Sequence, residues 1–478
     1  MNQPSPHLAD VVVIGGGVSG LSLAYWLQRS GIDVLVIEKD REVGGTMKTV
    51  REDGFLVELG PNSALETTPL FKEIVTDCGL EEEFVYANPS SNNRYILKNG
   101  ELFCLPLDPV SFFSTRLFSA SAKLRLLKEP FIGRGTKEES IAEFVERRLG
   151  REFLDYAIDP FVAGIFAGRP EALSVRAAFP KLYALEEKYG GLILGMIKGR
   201  KERKQRSEKA KDRAQSFAFK SGMQVLPLAL ARKLGTRVLL GASVVSLHPT
   251  LGTHTTDESS KGRFVVTYIH DGSEVTVRSN VVVCSVPAAA ASSLLRPLAP
   301  STADTLASIY YPPVASIFAA FDRTDIARPV DGFGFLVPSR ERRQILGSLW
   351  SSSLFPGRSP EGKVAFTTFV GGGRQPELVN MDEKELCDLA LTELKNIMQI
   401  TGNNVYLRVT RWRKAIPQYE IGYLATVEAL ETCEGRFPGL YFCSNFRGGI
   451  SVGDCVKNAR DTAHRIVSSL NDLNHHST

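Results

Sequence analysis

Hydrophobic positions along this chain follow two rhythms. Val11-Val12-Val13-Ile14 and Val34-Leu35-Val36-Ile37 are short, unbroken aliphatic runs, the pattern of parallel strands buried on both faces. Between them Leu21, Ala24, Tyr25 and Leu27 recur at helical spacing, and Gly31 closes that helix. The pattern predicts a strand–helix–strand unit over Asp10 to Glu38. Similar signals return much later. Val225 to Leu234 reads as a helix, Arg237 to Leu247 as a strand, Asp271-Gly272 as a hairpin turn, and Asn280 to Ser285 as a buried strand. Leu440 to Ser444 is another strand, followed by a glycine turn and a helix from about Gly453. One discontinuous domain is therefore expected at 1–88, 221–290 and 436–478.

The segment 93–213 reads as a helical insertion. Its stripes, Phe112, Phe113, Leu117 and Phe118, then Leu124, Leu126 and Leu127, then Ile141, Phe144, Val145 and Leu149, are expected in a core more than on a surface. The segment 291–435 alternates β-rich stretches (Ser316 to Phe321, Gly332 to Pro338, Lys363 to Val370, Val405 to Trp412) with helices such as Glu383 to Met398. That suits a second domain built on a mixed sheet. The fold class is α/β: a discontinuous Rossmann-type domain, a mixed-sheet domain and a helical insertion that could face a membrane.

The loop after the first strand reads Gly15-Gly16-Gly17-Val18-Ser19-Gly20, a G-x-G-x-x-G motif. Its first glycine permits the tight turn, its second lets the backbone approach a pyrophosphate, and its third allows close helix–strand packing. The helix start offers free N–H groups and a positive dipole end to phosphates. Glu38, at the end of the second strand, stands where an acid accepts hydrogen bonds from ribose hydroxyls. Alone, the motif would be only a glycine-rich turn. With strand, helix and acid in place it predicts a dinucleotide site. Downstream come Lys39, then Gly44-Gly45-Thr46, then Gly60-Pro61-Asn62-Ser63. These resemble the second part of the fingerprint of FAD-dependent amine oxidases and their relatives, which simple nicotinamide dehydrogenases lack. An extended FAD needs several close backbone approaches, and glycine supplies them.

Composition narrows the chemistry. The 478 residues suit about three domains or two large ones, and the hydrophobic and charged fractions, 43% and 23%, are ordinary for a globular protein. No run approaches the ~20 apolar residues of a membrane-spanning helix, and polar Met1 to Asp10 does not read as a signal peptide. The seven cysteines are scattered with no C-x-x-C pair, which argues for reduced thiols and against a zinc site. No histidine falls between Leu8 and Leu247, so metal binding and histidine-based acid–base chemistry are disfavoured. The net charge is +4, but Lys198 to Arg213 holds nine Lys or Arg and three acids, a local +6. Either it is a solvated surface loop or it contacts an anionic bilayer. No nucleic-acid motif accompanies it.

Several further stretches coincide with one family. They are Asn92-Asn93-Arg94-Tyr95, Gly164-Ile165-Phe166-Ala167-Gly168, Leu173-Ser174 and Ala178-Phe179-Pro180, then Gly332 to Pro338, Ser351 to Pro356, Ile416-Pro417-Gln418-Tyr419, and Arg447-Gly448-Gly449-Ile450-Ser451-Val452-Gly453. Over nearly its whole length the chain resembles the oxygen-dependent protoporphyrinogen oxidases. The Gly332 stretch and the C-terminal glycine turn look most like the plant mitochondrial form. The resemblance implies FAD held by the residues already named, with Val244 toward the adenine end and Asn445, Ile450, Ser451 and Val452 at the glycine turn. The cysteine through which some amine oxidases of the same fold attach their flavin has no counterpart in Ser444-Asn445-Phe446-Arg447, so the FAD is expected to be non-covalent. Arg94 looks like the arginine that pairs with a substrate propionate, and Gly164 like the glycine whose carbonyl faces the macrocycle. Leu336, Leu349 and Phe369 look like the side chains that sandwich the tetrapyrrole, although read from the residues alone they are equally strand core.

The implied activity is six-electron oxidation of protoporphyrinogen IX to protoporphyrin IX, with oxygen as acceptor and hydrogen peroxide released. The cofactor performs the chemistry and no side chain is expected to be catalytic. Coproporphyrinogen III oxidation is the alternative, and a flavin amine oxidase a more distant one. A tetrapyrrole and molecular oxygen are the expected partners, an anionic membrane surface and a second copy of the chain candidate ones. The expected location is the cytoplasm, including the inner face of the cell membrane.

Overall fold

The computed structural model describes residues 7–106, 108–199, 214–250 and 262–476. All but two residues of the basic run lie outside these segments.

Two seven-stranded sheets organise the molecule. In the first, Val238–Leu239, Val34–Ile37, His7–Ile14 and Ser273–Cys284 lie parallel in that order, with Leu440–Phe442 also parallel to the end of Ser273–Cys284. Phe264–His270 and Ala242–Pro249 extend it antiparallel. Alternation explains the unbroken aliphatic runs. Val11, Val13, Val281 and Val283 enter a core with the Val18–Arg29, Val225–Leu234 and Val452–His476 helices. Val12, Ile14, Val282 and Cys284 enter another on the opposite face. Both faces are covered, as a parallel sheet requires. The Asp271-Gly272 turn has φ of 49° and 75°, the left-handed pair that a two-residue hairpin needs.

The second sheet runs Tyr406–Trp412, Val314–Asp322, Lys363–Gly371, Gly347–Leu349, Gly332–Leu336, Asn93–Lys98, Glu101–Cys104. Only the contact between Gly332–Leu336 and Asn93–Lys98 is parallel. One face packs on the Glu383–Met398 helix through Phe335, Trp350, Phe366 and Leu386.

Four expectations need correction. The helical insertion does not begin at 93, because Asn93–Lys98 and Glu101–Cys104 form a hairpin in the second sheet. Its Asn99-Gly100 turn, with φ of 52° and 78°, is a strong hairpin signal that the aromatic stripes obscured. The expected strand Arg237 to Leu247 breaks at Gly241 (φ 66°), and its two halves occupy opposite ends of the first sheet's order. The second segment of the discontinuous domain starts before 221, since Ser216–Phe219 pairs with Ala64–Leu65 and Phe84–Tyr86. Pro300–Ala307 and Tyr423–Arg436, assigned to the mixed-sheet domain, pack Leu306 and Leu430 into the core of the first sheet.

The stripes of the insertion divide. Leu117, Phe118, Ile141, Phe144 and Val145 are buried, but Phe113, Leu124 and Leu127 are 64–66% exposed. Among the described residues no helix is long and apolar enough to cross a membrane.

Candidate functional site

The cofactor-type residues gather at the carboxyl edge of the first sheet, where an open α/β sheet binds ligands. Gly15 has φ +110°, and a Cβ at Gly20 would stand 2.1 Å from the Gly15 carbonyl oxygen, so turn and helix–strand contact both require glycine. Around Gly17 the opposite holds. Nothing lies within 4 Å of an added Cβ, and no side chain caps the helix that Gly17 starts. The helix end is left open toward a ligand.

Glu38 is buried and accepts from the Gly16 N–H at 2.6 Å and the Asp40 N–H at 2.9 Å. Those bonds orient its carboxylate beside the phosphate loop and leave lone pairs for further donors. Lys39 is exposed. The Gly44-Gly45-Thr46 segment reaches the same loop, with the Gly44 N–H donating to the Gly16 carbonyl at 2.9 Å. Gly60 passes so close that a Cβ there would meet the Thr46 carbonyl oxygen at 2.0 Å. Pro61, Asn62 and Ser63 follow, partly accessible. Val244 follows two residues after Ala242, whose N–H donates to the Glu38 carbonyl at 2.9 Å. Asn445, Ile450 and Ser451 remain partly accessible, with Val452 nearly buried, in the turn between Leu440–Phe442 and the last helix. The structure therefore brings four separated stretches to one edge, with backbone amides and glycines where a long diphosphate-bridged flavin would run. That donor set fits FAD.

A buried ion pair ties the Phe55–Glu58 strand to the segment before Lys363–Gly371. Glu58 accepts from the Arg358 guanidinium, the Met223 N–H at 2.9 Å and Thr49 Oγ1 at 2.6 Å. Cys443 beside the C-terminal turn is fully buried, and burial pushes its thiol up to about 12. It is inert core, not a nucleophile.

The substrate-type residues come from three strands and one helix. Strand pairing sets Arg94 opposite Gly334 and Gly334 opposite Leu349. Two residues along, Ile96 lies opposite Leu336, Leu336 opposite Gly347, and Gly347 opposite Phe369. Residues two apart share a face, so Arg94, Leu336, Leu349 and Phe369 lie on one side of the sheet. This face turns away from the Glu383–Met398 helix. Gly334 has φ +139°, and a Cβ there would stand 2.2 Å from the Ser348 carbonyl oxygen. The wall is kept flat where it crosses that strand. Leu336, Leu349 and Phe369 are only half-buried, although Phe335, Ser348 and Thr368 next to them in the strands are buried. Gly164, on the Asp159–Phe166 helix, faces them: its added Cβ would lie 2.8 Å from Leu336 Cδ2.

Arg94 is exposed to solvent, yet desolvation by surrounding protein lowers its pKa from the ordinary guanidinium value. Together the two facts describe a cation on the wall of a cleft. Its guanidinium sits 5.4 Å from the Phe333 ring centre. No carboxylate among the described residues lies within ion-pair distance. Sequence reasoning assigned no role to Phe333, nor to the clamp that holds the Gly164 helix. There Asp159 accepts from Ser339 N at 2.7 Å, Ser339 Oγ at 2.8 Å and Arg374 Nη2 at 2.9 Å, while Arg374 Nη1 donates to the Val337 carbonyl at 2.6 Å. Such pairs between distant segments leave no local signal. Among the described residues the arrangement offers a long groove, a flat apolar wall, a cation without a carboxylate partner and no histidine. Among the described residues no cluster of side chains could hold a metal.

The model of the family of flavin-containing amine oxidoreductases matches residues 18–467. Protoporphyrinogen oxidase 2, chloroplastic/mitochondrial, from Arabidopsis thaliana is 33% identical over 96% of this chain and 94% of its own. Coproporphyrinogen III oxidase from Bacillus subtilis is 29% identical over 93% and 95%. Among solved structures, cyclohexylamine oxidase from Brevibacterium oxydans superposes with a TM-score of 0.68 at 18% identity, covering 97% of this chain and 99% of that one. The last likeness is one of fold alone.

Proposed function

Because the chain belongs to the flavin-containing amine oxidoreductase family, where it is an oxidoreductase of porphyrin biosynthesis, we propose that it oxidises protoporphyrinogen IX to protoporphyrin IX. The observation that carries this reading is Arg94: one unpaired guanidinium beside the flat apolar face of Leu336, Leu349 and Phe369. A porphyrinogen is a large apolar ring with carboxylates at its edge, and it needs such a wall and such a cation. FAD, bound without a covalent link along the glycine-lined edge, supplies the hydride acceptor, with oxygen as terminal acceptor and hydrogen peroxide as by-product. The protein's own work is positional. Arg94 takes a propionate, the apolar face and Gly164 hold the macrocycle flat, and the Asp159–Arg374 clamp keeps helix and sheet together. Removing six electrons takes three two-electron rounds, so the ring is presented to the cofactor repeatedly. Apolar walls permit this where a cage of directional hydrogen bonds would not.

The test is to supply the purified yellow protein with protoporphyrinogen and coproporphyrinogen separately, following porphyrin fluorescence and peroxide. Faster turnover of protoporphyrinogen supports the reading. Preference for coproporphyrinogen would replace it with the activity named for the B. subtilis relative.

The insertion supports a membrane-facing role. Val110, Phe113, Leu124, Leu127 and Phe131 are 64–89% exposed on consecutive short helices, with Arg116 and Lys128 exposed beside them. Aromatic and aliphatic side chains with interspersed cations suit an anionic bilayer surface, and the scattered cysteines suit the cytoplasmic side. Phe113→Ser with Phe131→Ser, or deletion of Gly199 to Arg213, should reduce sedimentation with anionic vesicles while leaving the flavin spectrum intact. Unchanged sedimentation would leave both features as solvated surface.

A further inference from the structure

Ile416-Pro417-Gln418-Tyr419 touches both walls of the site without belonging to either. Its backbone is pinned on three sides. The Gln418 N–H donates to the Tyr310 carbonyl at 2.9 Å, the Ser174 N–H donates to the Tyr419 carbonyl at 2.8 Å, and Pro417 fixes its own φ. Gln418 and Tyr419 are 3% and 4% exposed. They reach in different directions.

Gln418 reaches the substrate wall. Its Nε2 donates at 2.8 Å to the Phe166 carbonyl, at the end of the helix that carries Gly164. Its Oε1 packs so closely on Gly168 that a Cβ there would lie 2.2 Å away. Tyr419 reaches the cofactor turn. Its hydroxyl donates to the Asn445 carbonyl at 2.6 Å and accepts from the Gly449 N–H at 3.1 Å. One oxygen thus ties the two ends of a single turn. The ring stacks on Tyr423 at 4.3 Å, whose hydroxyl donates to the Phe446 carbonyl inside the same turn. The next residues, Ile450 and Ser451, remain partly accessible. A tyrosine that merely filled core would be satisfied by one partner. This one spends its donor and its acceptor on the same five-residue stretch.

We infer that Gln418 and Tyr419 are positioning residues that hold the substrate wall and the cofactor turn in fixed relation, Gln418 through the end of the Gly164 helix and Tyr419 through the Asn445–Gly449 turn. The inference rests on the flavin and porphyrinogen reading of the site. Two neighbouring residues on one pinned segment control the separation of groups far apart in sequence. Small displacements matter there, because hydride transfer falls steeply with misplacement.

The test uses the purified holoenzyme, with Tyr419→Phe removing only the hydroxyl and Gln418→Met keeping the side-chain length but not the amide. FAD affinity is read from flavin fluorescence on dilution, and the flavin midpoint potential and melting temperature are measured alongside. KM and kcat are measured with protoporphyrinogen. Tyr419→Phe should weaken FAD affinity about tenfold, the effect of one or two lost neutral hydrogen bonds, and shift the midpoint potential, with KM little changed. Gln418→Met should raise KM about three- to tenfold with FAD affinity within about twofold. A fall in melting temperature with affinity, potential and KM all unmoved would mean plain core packing and would overturn the inference. If Tyr419→Phe cannot be isolated with flavin, Tyr423→Phe, which loosens the same turn through Phe446, must weaken FAD affinity in its place or the inference fails. Should wild-type protein ignore protoporphyrinogen, the substrate reading falls, while the FAD measurements still decide the role of the tyrosine.

Discussion

Replacing Arg94 by alanine separates binding from folding in this protein. The guanidinium has no carboxylate partner among the described residues, so truncation leaves no buried acid uncompensated in the free enzyme. What the free enzyme loses is the contact with Phe333 at 5.4 Å, about 0.5–1 kcal/mol at an accessible site. Melting temperature and flavin content should therefore stay near wild type. The complex loses far more. A propionate in a desolvated cleft would be left without its charged donor, and a charge-assisted hydrogen bond contributes about 1.5–3 kcal/mol. That corresponds to roughly ten- to a hundredfold in kcat/KM. The loss should fall on KM, because the contact holds the edge of the ring and not the carbon that is oxidised. Arg94→Lys should restore only part, since an ammonium lacks the two-pronged geometry. Steady-state porphyrin fluorescence over a range of protoporphyrinogen concentrations reads all three parameters. A KM for Arg94→Ala within about twofold of wild type would refute the reasoning and make Arg94 an ordinary surface cation.

Gly164→Ala should raise KM several-fold with flavin and stability near normal. Its new Cβ meets only the movable end of Leu336, at 2.8 Å, and alanine favours a helix interior by up to about 1 kcal/mol; an unchanged KM would remove Gly164 from the substrate wall. Arg358→Met strands buried Glu58 and should cost about 3–5 kcal/mol in denaturant titration, with less lost when Glu58→Gln is added; equal losses would refute the pairing. Glu186 gives a pH signature. Desolvation alone would raise its pKa, but hydrogen bonds from Arg148, the Gly135 N–H and Arg147 prevail and hold it below the ordinary carboxylate value. A depressed folded-state pKa contributes stability that is fully present above about pH 4.3 and lost as pH falls toward the folded value. The stability gap between wild type and Glu186→Gln should be constant near neutrality and close in acid; a gap that does not change between pH 7 and pH 3 would refute the assignment.

Much of this protein was legible in its sequence because the relevant physics is short-ranged. The Asp10 to Glu38 unit needs only an aliphatic run, a glycine loop, an apolar helix face and a second run, and each sits within a few residues of the next. The Val225–Leu234 and Glu383–Met398 helices have the expected bounds for the same reason. Cys443 lies within the apolar strand expected at Leu440 to Ser444 and is buried. The Asn99-Gly100 hairpin was equally local, and aromatic residues that could serve a helix or a strand hid it.

Other properties belong to no local pattern. Phe113 and Phe118 lie in one apolar stripe, yet one is 66% exposed and the other buried, because only one has Phe153 to stack on, at 4.3 Å. Leu336, Leu349 and Phe369 read alone as strand core; pairing register puts them on one face with Arg94. A shift of one residue in any of those strands would turn its side chain to the opposite face. The sequence by itself determined the phosphate loop and its strand, helix and acid, since propensity and glycine geometry act between neighbours. Only the tertiary structure decided which apolar side chains form a wall, that Arg94 stands on it with no carboxylate partner among the described residues, and that Tyr419 ties the Asn445–Gly449 turn. Those depend on which distant segments close on one another, and chain closure is set by the packing of the whole core.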